Sequence, residues 1–314
     1  MSTPYAYFQK QIIPLADAKI GIMTHGFNYG TGVFEGIRGN WNADDETIYL
    51  FRVEDHIRRL RESAKIVRID VGHSNEQIFD LLLEVVARSE IREDQYIRPL
   101  AYKSSEVLGV RLHDLQDDLL IFVAPFGPYL DIEKPIRCQT SSWRRVDDTS
   151  IPARAKLTGI YINSALAKTE AIDNGYDEAI MLNHDGHIAE GSGENIVVIR
   201  NNKLITPAKS DNVLEGITLQ TVIELAGTEL GLESEERTID RSELYVADEV
   251  FLTGTAAHVT AVAEVDNRVV GSGDTGPITK QLQTIYFDII SGRNPKYAHW
   301  CTPVPLREAV SQQA

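Results

Sequence analysis

A segment with two prolines and a glycine, GPYLDIEKP at residues 127–135, interrupts the sequence near its middle. Proline restricts the backbone and removes an amide donor, and glycine favours turns, so the segment is typical of a connection between folded regions. The chain has 314 residues, and common domains have about 100–150. We therefore predict two domains, 1–126 and 136–314, joined by a linker at 127–135.

Short apolar runs alternate with helical repeats on both sides of this linker. Four helices have recognisable ends: the capping pair Ser74 and Gln77 opens one, Asn174-Gly175 closes another, and two more span about 217–230 and 277–291. The tail from Arg293 appears irregular in this pattern. The predicted strands include 46–53, 95–102, 119–126, 136–143, 178–182, 195–200 and 249–254. This order predicts two α+β domains of unequal size.

Charge and composition exclude several classes of protein. Asp and Glu number 46 against 31 Lys and Arg, and the net charge of -15 is spread along the chain, which argues against binding to nucleic acids or anionic membranes. No apolar run approaches the ~20 residues of a membrane-spanning helix. The N-terminal MSTPYAYFQKQ lacks the pattern of a secretory signal, so we expect a cytoplasmic protein. Cys138 and Cys301 are then expected to be reduced thiols, and we predict no metal site.

Two local patterns imitate binding sites. Gly271 to Gly276 matches the G-x-G-x-x-G of dinucleotide-binding proteins, but no further strand-helix-strand unit follows, so we interpret it as a tight turn into a helix. His184 and His187 flank Asp185-Gly186, a common hairpin turn dipeptide, so we interpret this cluster as a solvated turn.

Lys156 lies where an irregular segment opened by Pro152 gives way to a helix. A lysine can form a Schiff base with pyridoxal phosphate, which then needs an acid at its pyridine nitrogen, a hydroxyl at its phenolic oxygen and a phosphate clamp. Glu190 or Glu194 can supply the acid and Tyr161 the hydroxyl. The clamp has further candidates in Arg59, in the helix start at LEGITLQ, 214–220, and in Thr255.

Six segments in the same order resemble one known family, the branched-chain amino acid aminotransferases, which have fold type IV among pyridoxal-phosphate enzymes. The segments are FNYGTGVFEGIR (27–38), YIRPL (96–100), AK (155–156), EGSGEN (190–195), GIT (216–218) and GTAA (254–257). The resemblance implies an α+β fold with a smaller N-terminal α/β domain. The larger C-terminal domain would have a β-barrel-like sheet core with flanking helices. It also implies at least a homodimer.

The resemblance further implies that the enzyme transfers the amino group of leucine, isoleucine or valine to 2-oxoglutarate. Lys156 would be the catalytic residue, Glu190 would contact the ring nitrogen and Tyr161 the phenolic oxygen, with Glu194 as a supporting acid. The other implied cofactor-binding residues are Arg59, Gly216, Ile217, Thr218 and Thr255.

The resemblance also implies a set of substrate-binding residues. Tyr96 and Arg98 are two residues apart in a strand and so share a face, with Arg98 supporting carboxylate recognition. Thr255 and Ala256 would offer backbone amides to the α-carboxylate. The apolar side-chain pocket would be lined by Tyr29, Phe34, Val110, Phe126 and Tyr129.

Two departures from the family pattern leave the substrate open. Phe126 lies where familiar members often carry tryptophan, and Arg111, in GVRLHD, places a cation in a loop expected near the substrate. Arg111 can bind the distal carboxylate of glutamate or change the substrate preference. Fold-type-IV relatives that act on D-amino acids or (R)-amines, or that cleave aminodeoxychorismate, are the alternatives.

Overall fold

The structure is a computed structural model that describes residues 4–127, 130 and 134–306. Its contacts divide the chain into two compact units, taken here over the described residues. The first unit comprises Met1–Gly127 and Phe287–Ala314, and the second comprises Pro128–Tyr286. The change of unit after Gly127 falls inside the predicted linker, of which residues 128–129 and 131–133 lie outside the described residues.

Seventeen strands and six α-helices are present in the described residues. The strands are β1 Tyr5–Phe8, β2 Gln11–Pro14, β3 Gly32–Phe34, β4 Ile37–Asn42, β5 Thr47–Phe51, β6 Gln95–Lys103, β7 Asp117–Pro125, β8 Ile136–Thr140, β9 Glu178–Leu182, β10 Ile188–Gly191, β11 Asn195–Arg200, β12 Lys203–Thr206, β13 Glu233–Glu236, β14 Glu249–Gly254, β15 His258–Val265, β16 Arg268–Val269 and β17 Cys301–Pro305. The helices are α1 His25–Tyr29, α2 Val53–Ile66, α3 Asn75–Ser89, α4 Tyr161–Asp173, α5 Ile217–Leu230 and α6 Pro277–Ile290. The α+β fold class is confirmed.

The first unit is built on an antiparallel sheet of order β17-β5-β4-β6-β7-β1-β2, with β3 also paired to β6. Helix α3 packs against β1, β6 and β7, and α2 packs against α3 and β3. The capping pair predicted at the start of α3 is confirmed: the Ser74 amide donates to Gln77 Oε1 at 2.7 Å, and the Gln77 amide donates to Ser74 Oγ at 3.2 Å. Helix α2 buries its apolar face at Ile57, Leu60 and Ala64.

The chain after Phe287 differs from the sequence-based expectation. The tail from Arg293 was predicted to be irregular and, like the rest of this segment, to belong to the domain at 136–314, whereas Cys301–Pro305 forms β17, which pairs antiparallel with β5 of the first unit. The segment contains Pro303 and Pro305, and proline normally argues against a strand because it cannot donate to a β-ladder. β17 lies at an edge of its sheet, where that loss is tolerated.

The second unit is built on a mixed sheet of order β10-β9-β8-β15-β14-β11-β12-β13, with β16 on β15. β8 runs parallel to β9 and β15, and β12 runs parallel to β13. Helix α4 packs small residues, Ala167 and Ala171, against Ala179 and Met181 of β9, while α5 packs against β13 and β14. None of the helices that the structure describes is long and apolar enough to cross a bilayer.

The glycine-rich segment at 271–276 is a turn that leads into α6, as predicted. The first amides of α6 are taken by a side chain of the protein: Glu249 accepts the Ile278 amide at 2.9 Å and the Thr279 amide at 2.7 Å. Glu249 is buried and also accepts the Thr279 hydroxyl at 2.6 Å. A carboxylate therefore caps this helix where a dinucleotide site would place a phosphate.

Replacement of Glu249 with alanine tests this cap. We expect the free energy of unfolding to fall by about 2 kcal/mol, because two amides lose their acceptor and the helix dipole loses its anion. Denaturant titration followed by circular dichroism measures the change. Glu224→Ala, at an exposed position of α5, is the matched control and changes stability by less than about 0.5 kcal/mol. Equal losses in the two variants would contradict the capping role.

Candidate active site

Lys156 and Tyr161 meet at the start of α4. Lys156 is half-buried in the loop before the helix, and its Nζ donates to the Tyr161 hydroxyl at 2.9 Å. Its neighbours Ala155 and Leu157 are buried and fix the loop backbone in the core. The amine and the phenol that the sequence predicts as cofactor-binding groups are therefore brought together within the second unit.

Glu190 lies in β10 with its side chain buried. Its Oε1 is 2.7 Å from Nε of Arg145 in an ion pair. Its Oε2 accepts the Leu214 amide at 2.9 Å and the Asn195 side-chain amide at 3.2 Å. Groups from three other segments thus surround one carboxylate and fix both of its oxygens.

The protonation of Glu190 reflects a balance between burial and these partners. Burial raises the pKa of Glu190, and the Arg145 guanidinium, the Leu214 amide and the Lys156 ammonium lower it in part, so the pKa stays above its ordinary value. Lys156 is therefore close enough for its charge to act on the acid that the sequence predicts for the ring nitrogen.

The start of α5 adjoins Glu190 through Asn195. The Asn195 side-chain amide, which donates to Glu190, also donates to the Leu214 carbonyl at 2.8 Å. A Cβ at Gly216 would overlap the Asn195 amide oxygen, so only glycine fits there. Gly216 brings no side chain to cap the helix, and the buried Ile217 and Thr218 follow it. A helix start of this kind suits an anion such as a phosphate.

The turn between β14 and β15 carries Thr255 and Ala256, both half-buried. Just before it, a Cβ at Gly254 would lie 3.5 Å from Cγ of Glu194. The register places Thr253 opposite Asn195, so β14 ends beside the start of β11. The predicted Thr255 turn thus lies beside the loop that carries Glu194.

Glu194 is buried, so it is not a solvated surface acid. Its Oε2 accepts the Gly193 amide at 3.1 Å. Burial and the nearby Glu178 carboxylate raise the pKa of Glu194 to about 8. Glu178 is itself fully buried and accepts Lys168 Nζ at 2.6 Å. Glu194 is consequently a neutral acid at pH 7.

Arg59, the other predicted phosphate ligand, lies in α2 of the first unit. Its Nε and Nη2 each donate at 2.7 Å to the two oxygens of Glu35, which also lies 2.7 Å from Nδ1 of His56. Burial raises the pKa of Glu35, but Arg59 and His56 outweigh it and bring that pKa to about 2. The guanidinium is therefore held on a permanent anion. Its role as a phosphate ligand stays a prediction.

Tyr96 and Arg98 share a face of β6, as the alternation of the strand predicts. Arg98 Nη2 donates to the Tyr96 hydroxyl at 2.9 Å, and its guanidinium lies 4.4 Å from the centre of the Phe34 ring. Phe126 packs beside Tyr96, with ring centroids 5.2 Å apart, and also lies under the Arg38 guanidinium. Four of the predicted substrate residues therefore form one cluster in the first unit.

The remaining substrate residues are less closely grouped. The Tyr29 hydroxyl accepts the Gly109 amide at 3.1 Å, which places Tyr29 next to the loop of Val110 and Arg111. Val110 is 92% exposed within the chain and Arg111 is also exposed. Tyr129 lies outside the described residues.

The histidine cluster at 184–187 is a hairpin turn, as interpreted from the sequence. The His184 side chain is 64% exposed and lies 3.2 Å from Asp147. Across the described ranges, no group of three His, Cys, Asp or Glu side chains is placed to hold a metal ion.

Comparison with known sequences assigns this arrangement to a family. The family described as "Amino-transferase class IV" matches residues 32–265, which is most of the chain. The chain belongs to the class IV aminotransferases. The resemblance found in the six sequence segments is thereby confirmed.

Individual relatives and solved structures of the class IV family are similar over nearly the whole length. A protein of Aquifex aeolicus (strain VF5) named "Probable branched-chain-amino-acid aminotransferase" is 52% identical over 303 residues, covering 96% of this chain and 97% of its own. The branched-chain aminotransferase of Thermoproteus uzoniensis, solved with norvaline, is 44% identical with a TM-score of 0.91, covering 96% and 99% of the two chains. That of Thermobaculum terrenum, in its PLP form, is 39% identical with a TM-score of 0.92 and the same coverage.

Several residues that contact the predicted site residues were absent from the sequence-based set, among them Arg145, Asn195 and Glu35, and His56 in turn contacts Glu35. Asn195 and Glu35 lie within the segments of the resemblance, and His56 precedes Arg59 by three residues on one helix face. These three positions could therefore have been included among the predicted site residues. Arg145 is 45 residues from Glu190, and no local pattern connects the two.

The raised pKa of Glu194 predicts a pH-dependent stability. In the unfolded chain this acid titrates near its ordinary value of 4.5, and in the folded chain near 8. Between these values the folded state binds the additional proton, so stability falls as pH rises, by at most about 1.4 kcal/mol per pH unit from this group. We expect Glu194→Gln, which resembles the protonated acid, to remove this part of the slope.

Urea titrations of the wild type and the variant from pH 5 to pH 8 measure this effect. Glu224→Gln, at an exposed position of the same unit, is the control and leaves the slope unchanged. A Glu194→Gln protein whose stability follows the wild type at every pH would show that Glu194 is ionised in the fold.

Proposed function

We propose that this chain is a pyridoxal-phosphate-dependent aminotransferase that transfers the amino group of leucine, isoleucine or valine reversibly to 2-oxoglutarate. The products are the branched-chain 2-oxo acids and L-glutamate. The observation that carries the proposal is the contact of Lys156 Nζ with the Tyr161 hydroxyl in the same unit as the buried Glu190. The names of the similar proteins favour branched-chain substrates over D-amino acids, (R)-amines or aminodeoxychorismate.

The residues of the second unit fit this cofactor. Glu190 is a buried acid with the charge environment needed beside a protonated ring nitrogen. The α5 start at Gly216, Ile217 and Thr218, where a larger residue would overlap Asn195, offers backbone amides to a phosphate. Thr255 is proposed as a further phosphate ligand, and Arg59 is proposed from the resemblance.

Pyridoxal phosphate, when bound, supplies a ring that withdraws electrons from the substrate Cα. Lys156 Nζ would hold the cofactor, and its free amine would act as general base and then general acid at the substrate Cα. The Tyr161 hydroxyl, 2.9 Å from Nζ, orients this amine. Glu190 would lie against the ring nitrogen and, in its ionised form, would favour the protonated ring.

The substrate residues are proposed to lie in the first unit. Phe34, Tyr96 and Phe126 offer aromatic surface to an apolar side chain, and Arg98 offers a cation to a carboxylate. The amides of Thr255 and Ala256 are proposed for the α-carboxylate, and Tyr29, Val110 and Tyr129 for the side-chain pocket.

The assembly and the location are proposed on narrower grounds. The resemblance to enzymes that complete their site across a dimer contact supports at least a homodimer, the commonest symmetry of soluble oligomers. Cys138 and Cys301 are both free thiols, as expected in a reducing compartment, which supports a cytoplasmic location.

Removal of the Lys156 amine tests the assignment. We expect Lys156→Ala to lower kcat with L-leucine and 2-oxoglutarate by about 1000-fold or more, since the variant loses both the anchor and the general base. Borohydride reduction followed by peptide mass analysis is expected to label Lys156 in the wild type. Lys280→Ala, at an exposed position of α6, keeps normal turnover. Near-normal turnover of Lys156→Ala, or labelling elsewhere, would refute the proposal.

The Arg111 loop is tested by substrate discrimination. If Arg111 binds the distal carboxylate, Arg111→Ala lowers kcat/KM for L-glutamate by about tenfold or more, because a hydrogen bond to a charged group is lost. We expect kcat/KM for L-leucine to stay within about twofold of the wild type, because leucine has no distal carboxylate to lose this hydrogen bond. Equal losses for both substrates, measured as half-reaction rates, would assign the loop a structural role only.

A further inference from the structure

Arg145 and Glu190 form a buried ion pair beside the proposed cofactor-binding groups. Their side chains are only 6% and 7% exposed, and Nε lies 2.7 Å from Oε1. The Arg145 backbone is fixed as well, because its amide donates to the Leu182 carbonyl at 2.8 Å. Arg144, the next residue, is exposed and donates to the carbonyls of Asn183 and His184. Of these two adjacent arginines, Arg145 is thus buried beside a carboxylate, whereas Arg144 is exposed to solvent.

The two oxygens of Glu190 have different partners. Oε2 accepts two neutral amide donors, from Leu214 and Asn195, while Oε1 faces the one cation within ion-pair distance among the described residues, Arg145. Removal of Arg145 would therefore leave the amide contacts intact but take away the nearest positive charge. A buried carboxylate without such a charge takes up a proton.

The effects on the pKa of Glu190 indicate how strongly its ionised form depends on the Arg145 guanidinium. Burial keeps the pKa of Glu190 above its ordinary value even though Arg145, Leu214 and Lys156 oppose it, and Arg145 is the largest of the three. Burial and the Glu178 carboxylate raise the pKa of the other acid nearby, Glu194, to about 8, and Glu178 in turn pairs with Lys168. Arg145 is thus the main group that favours the charged form of Glu190.

We propose that Arg145 is a positioning residue that keeps Glu190 ionised and fixes its Oε1, and thereby controls the protonation of the pyridine nitrogen. The last clause rests on the proposed function, whereas the first concerns the protein alone. A neutral Glu190 cannot form an ion pair with a protonated ring, so the loss of Arg145 should resemble the loss of the Glu190 charge.

The experiment compares Arg145→Met, Arg145→Lys, Glu190→Gln and the double variant Arg145→Met/Glu190→Gln, with Arg144→Met as the matched control. The holoenzyme of each is measured for kcat and KM with L-leucine, and for the absorbance of bound pyridoxal phosphate as a function of pH. We expect Arg145→Met to lower kcat by about tenfold or more, since a rise of one unit in the pKa of Glu190 lowers the ratio of its ionised to its neutral form tenfold. Its KM should stay within about threefold of the wild type.

The comparison between variants separates a positioning role from a general loss of structure. Arg145→Lys retains the charge and should recover part of kcat, and the pH profile of the cofactor absorbance in Arg145→Met should follow that of Glu190→Gln. The double variant should be no slower than Glu190→Gln alone, because both changes remove one interaction. Arg144→Met should match the wild type. Wild-type kcat and absorbance in Arg145→Met, or additive losses in the double variant, would overturn the inference.

A measurement on the protein without cofactor keeps the test independent of the proposed function. Arg145→Met leaves Glu190 as a buried acid with a further raised pKa, so its stability should fall from pH 5 to pH 8 more steeply than that of the double variant. The double variant lacks both charges and should fold even if the single variant does not. Parallel pH profiles for the two would overturn the inference. A wild type that binds no pyridoxal phosphate would refute the proposed function and leave this part standing.

Discussion

A carboxylate with its side chain 7% exposed, Glu190, is the constraint on which the candidate site depends. Removing an ionised carboxylate from water costs several kcal/mol unless charge and hydrogen bonds replace the solvent. The fold supplies them through Asn195, five residues along the chain, and through Arg145 and Leu214, which are distant in sequence. Because Asn195 also holds the Leu214 carbonyl and its amide oxygen excludes a side chain at Gly216, the same network places the start of α5. The contacts that stabilise buried Glu190 therefore also position the helix start that is proposed to bind the phosphate.

Glu190 and Glu194 show how environment assigns different roles to two like residues. Both are buried and lie four positions apart, Glu190 in β10 and Glu194 in the turn that follows it. Glu190 faces a guanidinium and two amides, which oppose the effect of burial on its pKa. Glu194 faces the Glu178 carboxylate, which adds to that effect, so it remains protonated. A neutral second acid also avoids a repulsion that would raise the pKa of Glu190 further. Pairs of acids with diverging environments are a common arrangement at catalytic sites.

Local sequence signals predicted the parts of the fold that local interactions determine. The start of α3 followed from Ser74 and Gln77, and the turn before α6 from its glycines, because caps and turns involve neighbours in the chain. The contacts of Glu190 could not be predicted from local sequence, since Arg145 and Leu214 are distant from it along the chain and approach it only in the folded protein. β17 was missed because Pro303 and Pro305 are unfavourable in most strands and acceptable at an edge. The role of Lys156 was inferred from the family resemblance, whereas the helix pattern alone predicted only that Lys156 precedes α4.

The proposed reaction requires one enzyme to accept both an apolar side chain and the acidic side chain of glutamate, and the cluster around Arg98 offers a physical route to this. The Arg98 guanidinium lies against the faces of Phe34 and Tyr96 and donates to the Tyr96 hydroxyl. An arginine held on aromatic rings is partly stabilised without an anion, so it does not require a carboxylate partner when leucine is bound. The same cation remains available to a carboxylate when the second substrate arrives. If these proposed residues bind the substrate, an aliphatic side chain would contact aromatic carbon beside a cation that is already stabilised, which avoids the cost of a buried cation without a partner.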